Sequence, residues 1–158
     1  MLAKRSVLST DLLIEYENDG KPIAQIITGL KGGWRDFRDL EYKVVKRATR
    51  LDGIILDCGG GVIVDLDENG DEVFSERKVA LLKKSGTVIW LKGDIARLAK
   101  KTRGDERRPN LDQRQDIEAI MRRRLPFYKR AADLTFDING RKRTELADAI
   151  FKMVAAKL

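Results

Sequence analysis

Residues Gly53 to Val62 read GIILDCGGGV, a short apolar run that goes straight into three consecutive glycines. The run has no polar alternation, so a strand there needs cover on both faces, as in a parallel sheet flanked by helices. Removing three Cβ atoms at Gly59, Gly60 and Gly61 lets another group lie against the main chain, and lets φ turn positive at little steric cost. The first candidate for that group is a nucleotide phosphate. No stretch, however, satisfies G-x-x-x-x-G-K-[ST], the loop whose amides and lysine cradle nucleoside triphosphates.

Three further β-rich segments, Val7–Ser9, Thr87–Leu91 and Leu134–Ile138, alternate with helical patterns. Asp11 is placed to cap a helix carrying Leu12, Leu13 and Ile14 that stops at Asn18-Asp19-Gly20. Pro22 suits the first turn of a helix bearing Ile23, Ile26 and Ile27 and ending near Gly32-Gly33. From Trp34 to Leu51, Trp34, Phe37, Leu40, Val44 and Val45 recur at helical spacing. Ser75 opens a helix through Leu82, Asp94 one through Lys101, and Leu146, Ile150, Met153 and Val154 form a stripe on a helix from Arg143 to Leu158. The fold class expected is α/β, a three-layer arrangement with a parallel sheet, in one domain. Thr102 to Gln115, TRGDERRPNLDQRQ, is almost free of apolar residues and reads as a polar loop or lid.

There is one cysteine, Cys58, and no histidine, which excludes zinc fingers, histidine triads and imidazole shuttles. Chemistry is left to carboxylates, to Arg and Lys, or to a borrowed cofactor. A lone thiol at a strand end is ordinarily inert. No run of about 18 apolar residues and no cleavable leader is present, so a cytoplasmic protein is expected, without membrane contact and as a monomer. The net charge of +7 favours anionic partners.

Asp65 to Glu76, DLDENGDEVFSE, matches the calcium-loop pattern, but the apolar Val62-Ile63-Val64 stands where an entering helix belongs, and Glu72 where an apolar residue is usual. Asn69-Gly70 is better read as a type I′ turn in a hairpin from Asp65 to Val73. Basic clusters at Arg103–Arg108, Arg122–Arg124 and Arg141–Arg143 lack an aromatic stacking platform, which disfavours nucleic acid.

More specific are features in a fixed order: Thr10-Asp11 before a helix, Phe37-Arg38-Asp39-Leu40-Glu41 on a helix, the triple glycine, Arg108-Pro109 in the polar loop, and Arg124-Leu125-Pro126-Phe127-Tyr128. Here the sequence resembles the shikimate kinase family over nearly its whole length. The resemblance implies Mg-ATP as cofactor and shikimate as acceptor. Arg38 and Arg124 would each grip the acceptor carboxylate as planar forks. Asp11 would serve as base for the attacking hydroxyl, and Gly59 to Gly61 as the backbone wall beside it. Arg108 would close over the nucleotide phosphates, with Lys101 as a weaker cofactor contact in place of the family's arginine and Asp57 as a weak magnesium ligand.

The chain also departs from that family. Leu2-Ala3-Lys4-Arg5 matches the end of a helix that follows the phosphate loop, and Ser9 stands where an aspartate helps hold magnesium. The central first strand and its loop have no counterpart, so two unpaired strand edges facing each other are expected, with the acceptor half complete and phosphoryl transfer crippled. The reading is of an N-terminally incomplete kinase, with two competitors: a non-catalytic relative that binds a shikimate-like acid, and a basic nucleic-acid-binding domain. Plainer roles stand beside each residue: a helix cap for Asp11, an ion pair with Glu41 for Arg38, a solvated face for Arg124, a tight turn for the glycines.

Overall fold

The computed structural model describes residues 5–102 and 116–155, and the greater part of the polar loop, Arg108 included, lies outside them. β1 (Val7–Ser9) runs parallel to β2 (Ile55–Asp57), with Ser9 opposite Asp57. Three helices connect them: α1 (Thr10–Glu17), α2 (Ile23–Gly29) and α3 (Trp34–Ala48). The triple glycine then leads to an antiparallel hairpin, β3 (Val64–Leu66) with β4 (Glu72–Phe74), and to α4 (Glu76–Ser85). A second parallel ribbon pairs β5 (Ile89–Lys92) with β6 (Leu134–Asp137). Between those strands lie α5 (Ile95–Thr102), α6 (Ile117–Arg123) and α7 (Leu125–Ala131), and α8 (Arg143–Ala155) closes the described chain.

The class is α/β, with short apolar strands joined through helices. The parallel sheet comes as two separate ribbons, β1–β2 and β5–β6, with no hydrogen-bonded strand between them among the described residues. Ile55 and Leu91 on these strands are exposed. No described helix is long and apolar enough to cross a membrane.

Two clusters make the core. Ile14, Ile23, Ile26, Ile27, Phe37 and Val44 fill the space among α1, α2 and α3. Val45, Val62, Ile63, Val64, Val79 and Ala131 fill a second space under the glycine turn. α3 serves both: adjacent residues Val44 and Val45 enter different clusters, and a β-branched side chain at each lends stiffness where it is buried.

Several local expectations are corrected. Ser9, not Asp11, caps α1, its hydroxyl accepting from the Leu12 amide at 3.4 Å, which leaves the Asp11 carboxylate in the first turn for other use. Pro22 precedes α2 as its cap, and the helix ends at Gly29. The hairpin turn is not type I′. That type needs positive φ at both central residues, and only Gly70 has it, at 87°. Instead the Asp67 carboxylate accepts from the Asn69 and Asp71 amides, both at 2.9 Å, and fixes a turn closed by Gly70 N–H to the Asp67 carbonyl. Helices α6 and α7 are additions to the sequence reading. On α8, Leu146, Ile150 and Val154 are half-buried while Met153 is exposed, so it falls off the stripe.

Candidate functional site

Each of the three glycines meets one polar side chain. An added Cβ at Gly59 would lie 3.0 Å from the Asp11 carboxylate, at Gly60 2.9 Å from the Tyr128 hydroxyl, and at Gly61 2.8 Å from the Arg38 guanidinium. None of the three has positive φ, so it is close approach and not backbone conformation that requires glycine here. The turn brings Asp11 from α1, Arg38 from α3 and Tyr128 from α7 to one backbone surface. Their carbonyls are already engaged: Gly60 accepts from the Tyr128 hydroxyl at 2.8 Å and Gly61 from Arg38 Nη1 at 3.1 Å.

Arg38 is 4% exposed, a rare situation for a guanidinium. It pairs with Glu41 one helical turn on, Nη1 to Oε2 at 3.0 Å, so the ion-pair role expected for it is real. Its guanidinium carbon lies 5.2 Å from the Trp34 ring centroid and 5.7 Å from that of Phe37. Arg38 Nε is buried with no hydrogen-bond partner among the described residues. Behind the pair, fully buried Lys78 donates to Glu41 Oε2 and to the Val64 carbonyl, both at 2.6 Å. Burial pulls the Lys78 pKa below the usual lysine value against the opposing charge of Glu41. Asp65 adds a carboxylate 3.4 Å from Lys78, and Arg77 grips Asp65 through two nitrogens at 2.9 Å. Burial works to raise the Asp65 carboxyl, but Arg77 and the Ser75 hydroxyl outweigh it and hold it below the usual range.

Arg124 is 6% exposed and faces Glu72 of the hairpin, with Nε donating to Oε2 at 3.1 Å and Nη2 to Oε1. Arg123 donates to the same Glu72 Oε2 at 2.9 Å, and Arg122 pairs with Glu118. Arg124 is therefore buried on a carboxylate and is not part of a solvated face, while Arg122 and Arg123 pair with carboxylates and stay exposed. Burial favours a higher Glu72 pKa, yet the two arginines hold it below the usual carboxylate range. Tyr128 stacks on Trp90 of β5 at 5.5 Å, and so ties the second ribbon to the glycine turn.

The structure thus gathers Asp11, Arg38 and Gly59–Gly61, with Arg124 alongside through Tyr128. Asp57 and Lys101 are exposed, on β2 and α5 respectively. The Asp57 carbonyl accepts from the Thr10 hydroxyl at 3.4 Å. Among the described residues no group of three or more carboxylate, cysteine or histidine ligands converges as a metal site. The calcium-loop carboxylates are spent otherwise: Asp65 on Arg77, Asp67 on turn amides, Glu76 on Arg130. Cys58, half-buried beside the turn, has its thiol pushed up to about 12 by burial and, after that, by the charges of Glu41, Asp57 and Asp11, which keeps it protonated.

Lys78, Arg77 and Glu72 belong to the site's framework and were missed in the sequence. Lys78 reads there as one more polar position on α4. Glu72 carried a signal, since it breaks the calcium pattern at a place where an apolar residue is normal.

Two inward-facing arginines, a nearby carboxylate and a partly exposed stretch of glycine backbone, all by the carboxyl end of a parallel strand, make a candidate site for a small anionic ligand in an α/β protein. A family model described as shikimate kinase matches residues 2–155. A shikimate kinase of Leptospira biflexa is 40% identical over 159 aligned residues, covering 99% of this chain and 87% of that one. One from Leptospira borgpetersenii is 37% identical, covering 94% and 83%. Among solved structures, a shikimate kinase from Acinetobacter baumannii in complex with shikimate superposes with a TM-score of 0.79 at 27% identity, covering 97% of this chain and 80% of that one. This chain belongs to the shikimate kinase family.

Proposed function

We propose that the site takes shikimate as phosphoryl acceptor and that the 3-hydroxyl of shikimate receives the γ-phosphoryl group of ATP. The observation that carries the reading is the buried Nε of Arg38, a residue 4% exposed beside the glycine turn, which has no partner among the described residues. A buried, charged donor left unmade is costly, and an anionic ligand supplies the missing acceptor. The bound shikimate in the Acinetobacter baumannii relative supports the same substrate.

In this reading Arg38 and Arg124 hold the acceptor carboxylate, and the glycine backbone lets the ring lie close. Asp11, at the Gly59 wall, accepts the proton of the attacking hydroxyl, which raises its nucleophilicity as the phosphoryl group arrives in line. Arg108, outside the described residues, would cover the nucleotide phosphates, with Lys101 a weaker contact. Asp57, at the end of β2, is the residue that would help hold a magnesium ion, which would neutralise charge on the nucleotide phosphates. The proposed working unit is a monomer. Since no stretch of the sequence matches the phosphate loop, the proposal also holds that these 158 residues bind acceptor but transfer phosphoryl slowly. The same fact favours a second reading, non-catalytic binding of a shikimate-like acid.

Calorimetric titration with shikimate and with ATP separately, followed by a coupled kinase assay, tests this. Shikimate binding with weak ATP binding and slow turnover is expected. Binding with no turnover at saturating Mg-ATP selects the non-catalytic reading. A folded sample that ignores shikimate overturns both.

A further inference from the structure

Glu72 stands on the hairpin with its side chain 11% exposed, and both carboxylate oxygens are used on Arg124. A guanidinium has two carboxylate-matching forks, the Nε–Nη2 side and the Nη1–Nη2 end. Glu72 occupies the side. Tyr128, one helical turn on, also interacts with Arg124, and its hydroxyl sits on Gly60. We propose that Glu72 is a positioning residue: by taking the Nε–Nη2 side of Arg124 it presents the Nη1–Nη2 end to the carboxylate of the acceptor at the glycine turn. The proposal rests on the reading of Arg124 as a ligand of that carboxylate.

The hairpin is built to hold such a residue still. Glu72 lies opposite Leu66 in the ladder, and Arg35 of α3 donates to the Asp67 carbonyl at the hairpin's far end and to that of Glu68 at 3.4 Å. Asp65 at its base is gripped by Arg77 of α4 at 2.9 Å. The hairpin is thus tied to the helix that carries Arg38, and through Glu72 it sets Arg124 relative to Arg38. Arg123 anchors Glu72 a second time at 2.9 Å. A competitor for Arg124 would have to leave when ligand arrives, but a half-buried carboxylate held by two arginines and a strand ladder has no such exit. Fixing one fork in advance leaves less side-chain freedom to lose when the other is used.

The test compares shikimate with its methyl ester, which keeps the ring and hydroxyls but has no carboxylate charge, by calorimetry on wild type, Glu72→Gln and Glu72→Asp. Wild type is expected to prefer shikimate by roughly tenfold or more. Glu72→Gln should weaken shikimate about tenfold and change the ester by less than about twofold. Glu72→Asp, one methylene short, should fall between, and it decides the matter alone if the glutamine variant does not fold. Equal weakening of both probes would make Glu72 merely structural and overturn the proposal. Tighter shikimate binding in Glu72→Gln would make Glu72 an internal competitor and overturn it too. A folded wild type that binds neither probe refutes the acceptor reading, and the role of Glu72 falls with it.

Discussion

The two parallel ribbons border opposite kinds of surface. Beside β1–β2, charge is buried: Arg38, Glu41 and Lys78 are each at least nine-tenths removed from solvent, and each is held by a named partner. Beside β5–β6, an open cavity of about 320 Å³ is lined by Lys92, Asp94, Arg122, Asp137 and Asn139, and α8 has no buried residue at all. The first region is organised before any ligand arrives, because a desolvated charge is stable only when its geometry is fixed. The second has solvated groups, whose interactions are worth little until something covers them.

The sharpest way to break that contrast is to remove a charge from each side. Lys78→Met leaves Glu41 and Asp65 without their common cation and should cost about 3–5 kcal/mol in denaturant unfolding. Next is the glycine wall. Gly61→Ala puts a methyl group 2.8 Å from Arg38, and a loss of about 1–3 kcal/mol is expected with shikimate affinity reduced at least roughly tenfold. Gly29→Ala, with open space around it, should shift stability by less than about 1 kcal/mol in the same melts. Arg38→Lys keeps the charge and loses the fork, so shikimate binding by calorimetry should weaken on the order of tenfold while the fold survives.

Acid stability sharpens the comparison further. Asp65 and Glu72 have folded pKa values below their ordinary 3.8 and 4.5, so the folded state binds fewer protons than the unfolded chain in that range. Their contribution is fully present above the ordinary values and is lost as pH falls through the depressed ones. Unfolding free energy measured from pH 6 downward should therefore fall less steeply in Asp65→Asn and Glu72→Gln than in wild type. The smallest effect belongs to the exposed side: Lys101→Ala should stay within about 0.5 kcal/mol of wild type in thermal melts.

Much of the buried site was legible because its parts are local. Phe37-Arg38-Asp39-Leu40-Glu41 is one helical stretch whose apolar spacing fixes which side of α3 goes inward, and Gly59–Gly61 announces close approach whatever the partner is. What a glycine approaches is not local: Tyr128 on Gly60 spans 68 residues. Glu72 and Lys78 escaped for the same reason, since a carboxylate on a hairpin and a lysine on a helix look solvated until the packing of α3, α4 and α6 is known. The cap of α1 was misplaced by two residues because Ser9 and Asp11 both suit the position, and only the turn behind Asp11 shows that its carboxylate has other work.

Helix α3 sends Val44 into one core and Val45 into the other, and carries Arg38 and Glu41 on the same rigid rod. Neither cluster can repack without dragging the other, so α3 is the molecule's fixed datum. Its central amides should exchange with deuterium only through global unfolding, and any closing motion on ligand binding has to be made by other elements moving toward Arg38.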